Sequence, residues 1–175
     1  MMELREAYDI ALYLKTCLSP CCERVEIAGS IRRLKATGVK DIEIVAAPSY
    51  MDRLDLFGNV VETVSMLDFM DWEHLGHVIK GGDRYKQVAL IAGINLDLFI
   101  VLPPAQWGVI MTIRTGPAAF SKRVVTQKCK GGLMLDGSYV RDGAVYCKGE
   151  LIKMDEEVDF FNYLGMRYIL PEKRT

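Results

Sequence analysis

The sequence predicts an α+β protein: a mixed β-sheet with flanking helices, followed by a small C-terminal α+β lobe. Three observations predict it. Apolar residues recur at helical spacing near the N-terminus and then give way to alternation over residues 23–30 and 41–47. Turn signals at Gly81-Gly82-Asp83 and Ala92-Gly93-Ile94-Asn95 divide a β-rich run into consecutive strands. Pro103-Pro104 separates that run from a segment that is helical again, which sets the expected domains at residues 1–103 and 104–175.

Taken in order, residues 4–18 place Leu4, Ala7, Tyr8, Ala11, Leu12, Tyr13 and Leu14 among Arg5, Glu6, Asp9 and Lys15, the pattern of a half-buried helix that Ser19-Pro20 stops. Val25, Ile27 and Ala28 read as a strand ending in a tight turn at Gly29-Ser30. Residues 41–47 read as a second strand, with Ile42, Ile44 and Ala46 on one face and Asp41, Glu43 and Val45 on the other. Residues 52–70 are apolar at helical spacing (Leu54, Phe57, Val60, Val61, Val64, Leu67), and residues 72–80, 84–91 and 94–101 predict an antiparallel meander. Beyond the prolines, residues 107–115 and 117–129 predict helices and residues 133–146 a hairpin turning at Asp142-Gly143. Residues 155–163 predict a capped helix whose acidic first turn suits the macrodipole, with Gly165 after it.

Half of the 175 residues are hydrophobic and 26% are charged, which suits a globular chain and excludes the disordered and fibrous classes. No apolar run approaches the roughly 18 residues of a membrane span, and the first residues lack an apolar signal core, so an intracellular, soluble monomer without membrane contact is expected. Five cysteines without paired C-x-x-C spacing read as free thiols of a reducing compartment. The net charge of −1 hides an asymmetry. Residues 1–103 carry 11 Lys and Arg against 15 Asp and Glu, residues 104–175 carry 11 against 8, and residues 105–135 hold no acid at all. That stretch, with Arg114, Lys122, Arg123, Lys128 and Lys130, suits either phosphates or a plain solvated helical face.

Two constellations carry chemistry. Asp41 and Glu43 lie two apart on one strand and share a face, and Asp97 lies on a later strand. If those strands are neighbours, three carboxylates converge, and their repulsion raises at least one pKa unless cations bind. Oxygen-only ligands select a hard divalent ion, Mg²⁺, as in two-metal nucleotidyl transfer. An acidic pair on an edge strand is equally a solubility device, and the carboxylates alone leave both readings open. Upstream, Gly29-Ser30-Ile31-Arg32-Arg33 combines a glycine that lets an anion approach backbone, a hydroxyl at a helix start and the Arg33 guanidinium, a set suited to a polyphosphate.

In this order the motifs resemble the family X DNA polymerases, the group related to DNA polymerase beta. Gly29-Ser30-Ile31-Arg32-Arg33 is similar to the family's G-S-x-R-R, Asp41-Ile42-Glu43 to its D-x-D, Asp97 to its third carboxylate, and Thr115-Gly116 to its T-G. Gly131-Gly132-Leu133-Met134-Leu135 with Tyr139-Val140-Arg141-Asp142-Gly143 is similar to the late hairpin of the family. Tyr163-Leu164-Gly165, Tyr168, Pro171 and Arg174 resemble its terminal LG-x-x-Y-x-x-P-x-x-R. The likeness spans almost the whole chain, and its late motifs are not shared by small nucleotidyltransferases that modify drugs or proteins.

The resemblance implies a nucleotidyltransferase palm at residues 1–103 and a thumb-type nucleotide- and DNA-binding lobe at residues 104–175, without helix-hairpin-helix or lyase regions, as in the small viral members. It implies a template-directed, gap-filling repair polymerase that adds a deoxynucleotide from a dNTP to a primer 3′-hydroxyl on primer-template or gapped DNA. Asp41, Glu43 and Asp97 would be catalytic and hold two Mg²⁺ ions, with Mn²⁺ as substitute. Gly29, Ser30 and Arg33, together with Ile113, Arg114, Thr115 and Gly116, would bind the nucleotide; Lys86, Lys122, Arg123, Lys128 and Lys130 would meet DNA. Two departures stand out: Glu43 is a methylene longer than the family's Asp, and Ile113-Arg114 replaces a commonly aromatic pair beside the sugar. A non-templated nucleotidyltransferase and a catalytically silent nucleotide- or nucleic-acid-binding module are the alternatives.

Overall fold

In the computed structural model, which describes residues 1–35 and 38–175, the helical spacing at the N-terminus forms α1 (Leu4–Leu18), with Ala7, Ala11, Leu14 and Leu18 as its buried stripe. Pro20 begins the short 3₁₀ turn that follows. The chain continues through β1 (Cys22–Ile27), the four-residue α2 (Gly29–Arg32) and β2 (Asp41–Pro48), then a ribbon of β3 (Tyr50–Leu54) and β4 (Val60–Ser65). A helical turn, α3 (Trp72–Leu75), leads into β5 (Gly76–Gly81), β6 (Tyr85–Leu90) and β7 (Asn95–Ile100).

Five of these strands form one sheet in the order β1-β2-β7-β6-β5. β2 and β7 run parallel while the other pairs are antiparallel, so the sheet is mixed and the fold is α+β. A parallel pair needs a crossover, and everything from β3 to β6 supplies it. Alternation then sorts the side chains. Ile42, Ile44, Ala46, Leu96 and Leu98 are buried against α1 in the first core, which leaves the odd-numbered residues of β2 and β7 on the opposite face. There Val45 is covered by Trp107 and Met111 from α4 (Trp107–Thr115).

The rest of the chain builds a second core around Val109, Phe120, Met134, Val145, Phe160 and Phe161. It is enclosed by α4, α5 (Ala118–Val125), a three-stranded sheet of β8 (Ser138–Arg141), β9 (Ala144–Cys147) and β10 (Glu150–Ile152), and α6 (Glu157–Tyr163). A capping box starts α6: the Asp159 carboxylate accepts from the Glu156 N–H at 2.8 Å, and the Glu156 side chain accepts in return. No helix among the described residues is long and apolar enough to cross a membrane.

The helical spacing of residues 52–70 yields only a 3₁₀ turn at its end, Met66–Phe69, and strands before it. The Asp55 carboxylate accepts from the backbone N–H groups of Phe57 and Asn59, and Gly58 at φ +83° turns the chain back, so the β-branched Val60, Val61, Thr63 and Val64 pair as a strand. The apolar residues of this ribbon face solvent, with Leu56 fully exposed. Residues 72–75 are helical rather than extended because the Asp71 carboxylate caps the His74 N–H. α5 stops at Val125, short of Cys129, because the Arg123 and Thr126 carbonyls are taken by Leu133 and Met134 N–H donors.

Candidate active site

The parallel register assembles the site. Asp41 pairs with Asn95 and Glu43 with Asp97, so the three predicted carboxylates share one sheet face, Glu43 and Asp97 directly opposite across the strands. Burial and, after it, the charge of Asp41 push the Glu43 carboxyl up to about 7, and Arg114 and Arg33 offset only part of that. Asp41 is raised as well, by burial first and the charge of Asp97 second. Like-charge repulsion thus operates, but desolvation is the larger cause.

The Gly29–Arg33 segment forms a cradle that lies against the carboxylates. Gly29 adopts φ +61°, and a Cβ there would overlap the Glu43 carboxylate, so both conformation and space require glycine. The Ala28 N–H donates to the Glu43 carbonyl at 2.8 Å and fixes the start of α2 beside β2. The extra methylene of Glu43 lets its carboxylate reach the cradle backbone. Ser30 follows Gly29 in α2, and its hydroxyl makes no hydrogen bond among the described residues.

Arg32 and Arg33 both reach the end of α4. Arg33 donates through Nη1 to the Thr115 carbonyl at 2.6 Å, while Arg32 donates through Nη1 to the Thr115 hydroxyl at 2.7 Å. Arg32 also donates through Nη2 to Glu157 at 2.6 Å, and Arg174 donates to the other Glu157 oxygen at 2.7 Å. Burial alone would raise the Glu157 carboxyl, but its hydrogen bonds from Arg32 and Arg174 prevail and hold it below its ordinary value. Gly116 breaks α4 where a Cβ would strike the Phe120 ring. Ile113 turns into the second core rather than toward the carboxylates. Arg114 lies with its guanidinium 3.9 Å from the centre of the Phe99 ring, in the field of Glu43 and Asp97.

Asp97 has partners that the sequence reading missed. Tyr85 Oη donates to Asp97 Oδ1 at 2.7 Å and Gln87 Nε2 to the same oxygen at 2.9 Å. The meander pairs Gln87 with Asp97 and Tyr85 with Phe99. Extending the hairpin register outward from the Ala92-Gly93 turn would have found both. Lys86, by contrast, lies on the opposite sheet face, its Nζ 4.8 Å from the Trp72 ring centre, and is not brought to the carboxylates. Lys122, Arg123, Lys128 and Lys130 are exposed in the C-terminal lobe and form no ion pair among the described residues.

Among the described residues no group of three His, Cys, Asp or Glu side chains converges closely enough to hold a metal ion. Glu43 lies against Gly29, and Asp97 is drawn toward Tyr85 and Gln87, so the carboxyl groups share a face without closing on a point. The donor set is nonetheless oxygen-only, anionic and, at Asp41 and Glu43, without hydrogen-bond donors among the described side chains, which fits a hard divalent cation. The chain matches no protein-family model, and no curated protein is significantly similar to it.

Proposed function

We propose that the protein is a template-directed DNA polymerase that adds a deoxynucleoside monophosphate to a primer 3′-hydroxyl and releases pyrophosphate. The observation that carries this reading is the register that sets Glu43 opposite Asp97, with Asp41 on the same face and Gly29 against the Glu43 carboxylate. Asp41, Glu43 and Asp97 would hold two Mg²⁺ ions, which when bound supply charge neutralisation and Lewis acidity at the phosphates. The backbone at Gly29 and Ser30 and the Arg33 guanidinium would seat the β- and γ-phosphates. Asp97 would orient the primer hydroxyl and accept its proton as the 3′-oxygen bonds to the α-phosphorus and the bond to pyrophosphate breaks. Lys122, Arg123, Lys128 and Lys130 would contact DNA phosphates without reading sequence.

The test is primer extension at low salt with Mg²⁺ on a one-nucleotide-gapped duplex whose templating base is varied, each deoxynucleotide offered singly beside its ribonucleotide. Incorporation that follows the template is the expected result. Addition that ignores it makes the protein a non-templated nucleotidyltransferase, and no addition with any divalent metal overturns the polymerase reading. The ribonucleotide arm reports what Arg114 on Phe99 does in place of an aromatic wall.

A further inference from the structure

We infer that Tyr85 and Gln87 are positioning residues for Asp97, engaging one carboxylate oxygen so that only the other is presented to the reaction; this rests on the polymerase reading above. Both donors converge on Oδ1, at 2.7 and 2.9 Å. A carboxylate oxygen offers about two lone-pair sites, so Oδ1 is saturated and Oδ2 is left as the free acceptor. The restraint is itself braced. Gln87 is the cross-strand partner of Asp97, and the Tyr85 ring sits 5.4 Å from the Phe99 ring, centre to centre, on the face that Arg114 covers.

Two consequences separate positioning from simple satisfaction of a half-buried carboxylate. A single free oxygen favours one-point coordination, the habit of Mg²⁺, over the two-point coordination that Ca²⁺ accepts. A locked rotamer also places the proton acceptor with the accuracy that in-line attack needs. Removing both donors should therefore loosen the choice of ion and slow the reaction without disturbing nucleotide binding.

The variants are Tyr85→Phe, which keeps the ring against Phe99, Gln87→Met, which keeps the side-chain length, and the double variant. Mn²⁺ binding is followed by electron paramagnetic resonance, with Ca²⁺ and Mg²⁺ as competitors, alongside primer extension and thermal unfolding. In the double variant the preference for Mg²⁺ over Ca²⁺ should fall about fivefold or more. Its kcat should drop roughly 10–100-fold, with KM for the nucleotide within about twofold of the parent. An unchanged Ca²⁺ to Mg²⁺ ratio, or an unchanged kcat in the double variant, overturns the inference. If the parent protein binds Mn²⁺ but extends no primer, the polymerase reading fails by itself and the ion competition alone decides the role of Tyr85 and Gln87. A parent that binds no Mn²⁺ overturns both.

Discussion

Two glutamates on the side of the sheet that faces the second lobe have opposite fates. Glu157 is clasped by Arg32 and Arg174, and its carboxyl is held down. Glu43, also largely desolvated, accepts no hydrogen bond from a cation among the described residues, faces two other carboxylates, and is pushed up to about 7. The first is a finished structural contact that ties the cradle to the C-terminal residues. The second is an unfinished one, its negative charge offset only in part by Arg114 and Arg33. A buried acid whose charge the fold offsets only in part is a candidate functional group.

The sharpest way to break this contrast is to remove one acid from each region. Asp97→Ala should lower incorporation by about 10³-fold, measured by single-turnover extension. Its thermal midpoint should fall only slightly, because the loss of a like charge offsets the loss of the hydrogen bonds from Tyr85 and Gln87. Glu157→Gln should do the reverse. It leaves Arg174, whose side chain is fully buried, without its anion, at about 3 kcal/mol of stability in urea unfolding. Activity should be lost only as far as the fold loosens. A fall in stability for Asp97→Ala equal to that of Glu157→Gln would erase the distinction.

Arg33 stands between the regions, bound to Thr115 on one side and in the field of Glu43 on the other. Arg33→Ala should weaken nucleotide binding roughly tenfold, read from a titration at equilibrium.

The pH dependence sharpens the comparison further. The Glu43 carboxyl is raised from 4.5 to about 7 in the folded protein, so the folded state keeps a proton that the unfolded chain gives up. Its contribution to stability is lost as pH rises through that window. Glu43→Gln should flatten urea midpoints between pH 5 and 8. Glu157 is depressed, so its contribution is present above 4.5 and lost as pH falls through its folded value. Glu157→Gln should therefore flatten the acid limb and leave the neutral one alone.

The smallest effect belongs to the exposed bridge between the lobes. Arg24 grips Glu156 with two bonds of 2.6 and 2.7 Å, but the two side chains are 40% and 50% exposed. Arg24→Ala should cost no more than about 1 kcal/mol, and that should shrink in high salt.

The site was legible in the sequence because its geometry is periodic. Alternation put Asp41 and Glu43 on one face, and the meander of β5 to β7 put Asp97 on the strand that became their neighbour. The same register would have yielded Tyr85 and Gln87, had it been carried past the turn. The clasp was not legible. Glu157 reads as a helix-start acid from its neighbours in sequence, whereas its partner Arg32 lies 125 residues away and only packing brings them together. The ribbon at residues 50–65 departs from the helix that its apolar spacing predicts. An Asp55-centred turn and β-branched residues outweigh that spacing, and most of the apolar side chains stay in solvent.

The parallel pairing of β2 with β7 has a consequence for how the protein comes into being. Antiparallel neighbours can zip from a turn, but these two strands meet only after the intervening chain has been looped out, a closure that is slow and entropically unfavourable. Asp41 and Glu43 therefore stay apart from Asp97, and their repulsion is deferred, until β7 has docked beside β2. No nascent fragment ending before β7 carries all three carboxylates, so they come together only once that strand has joined the sheet.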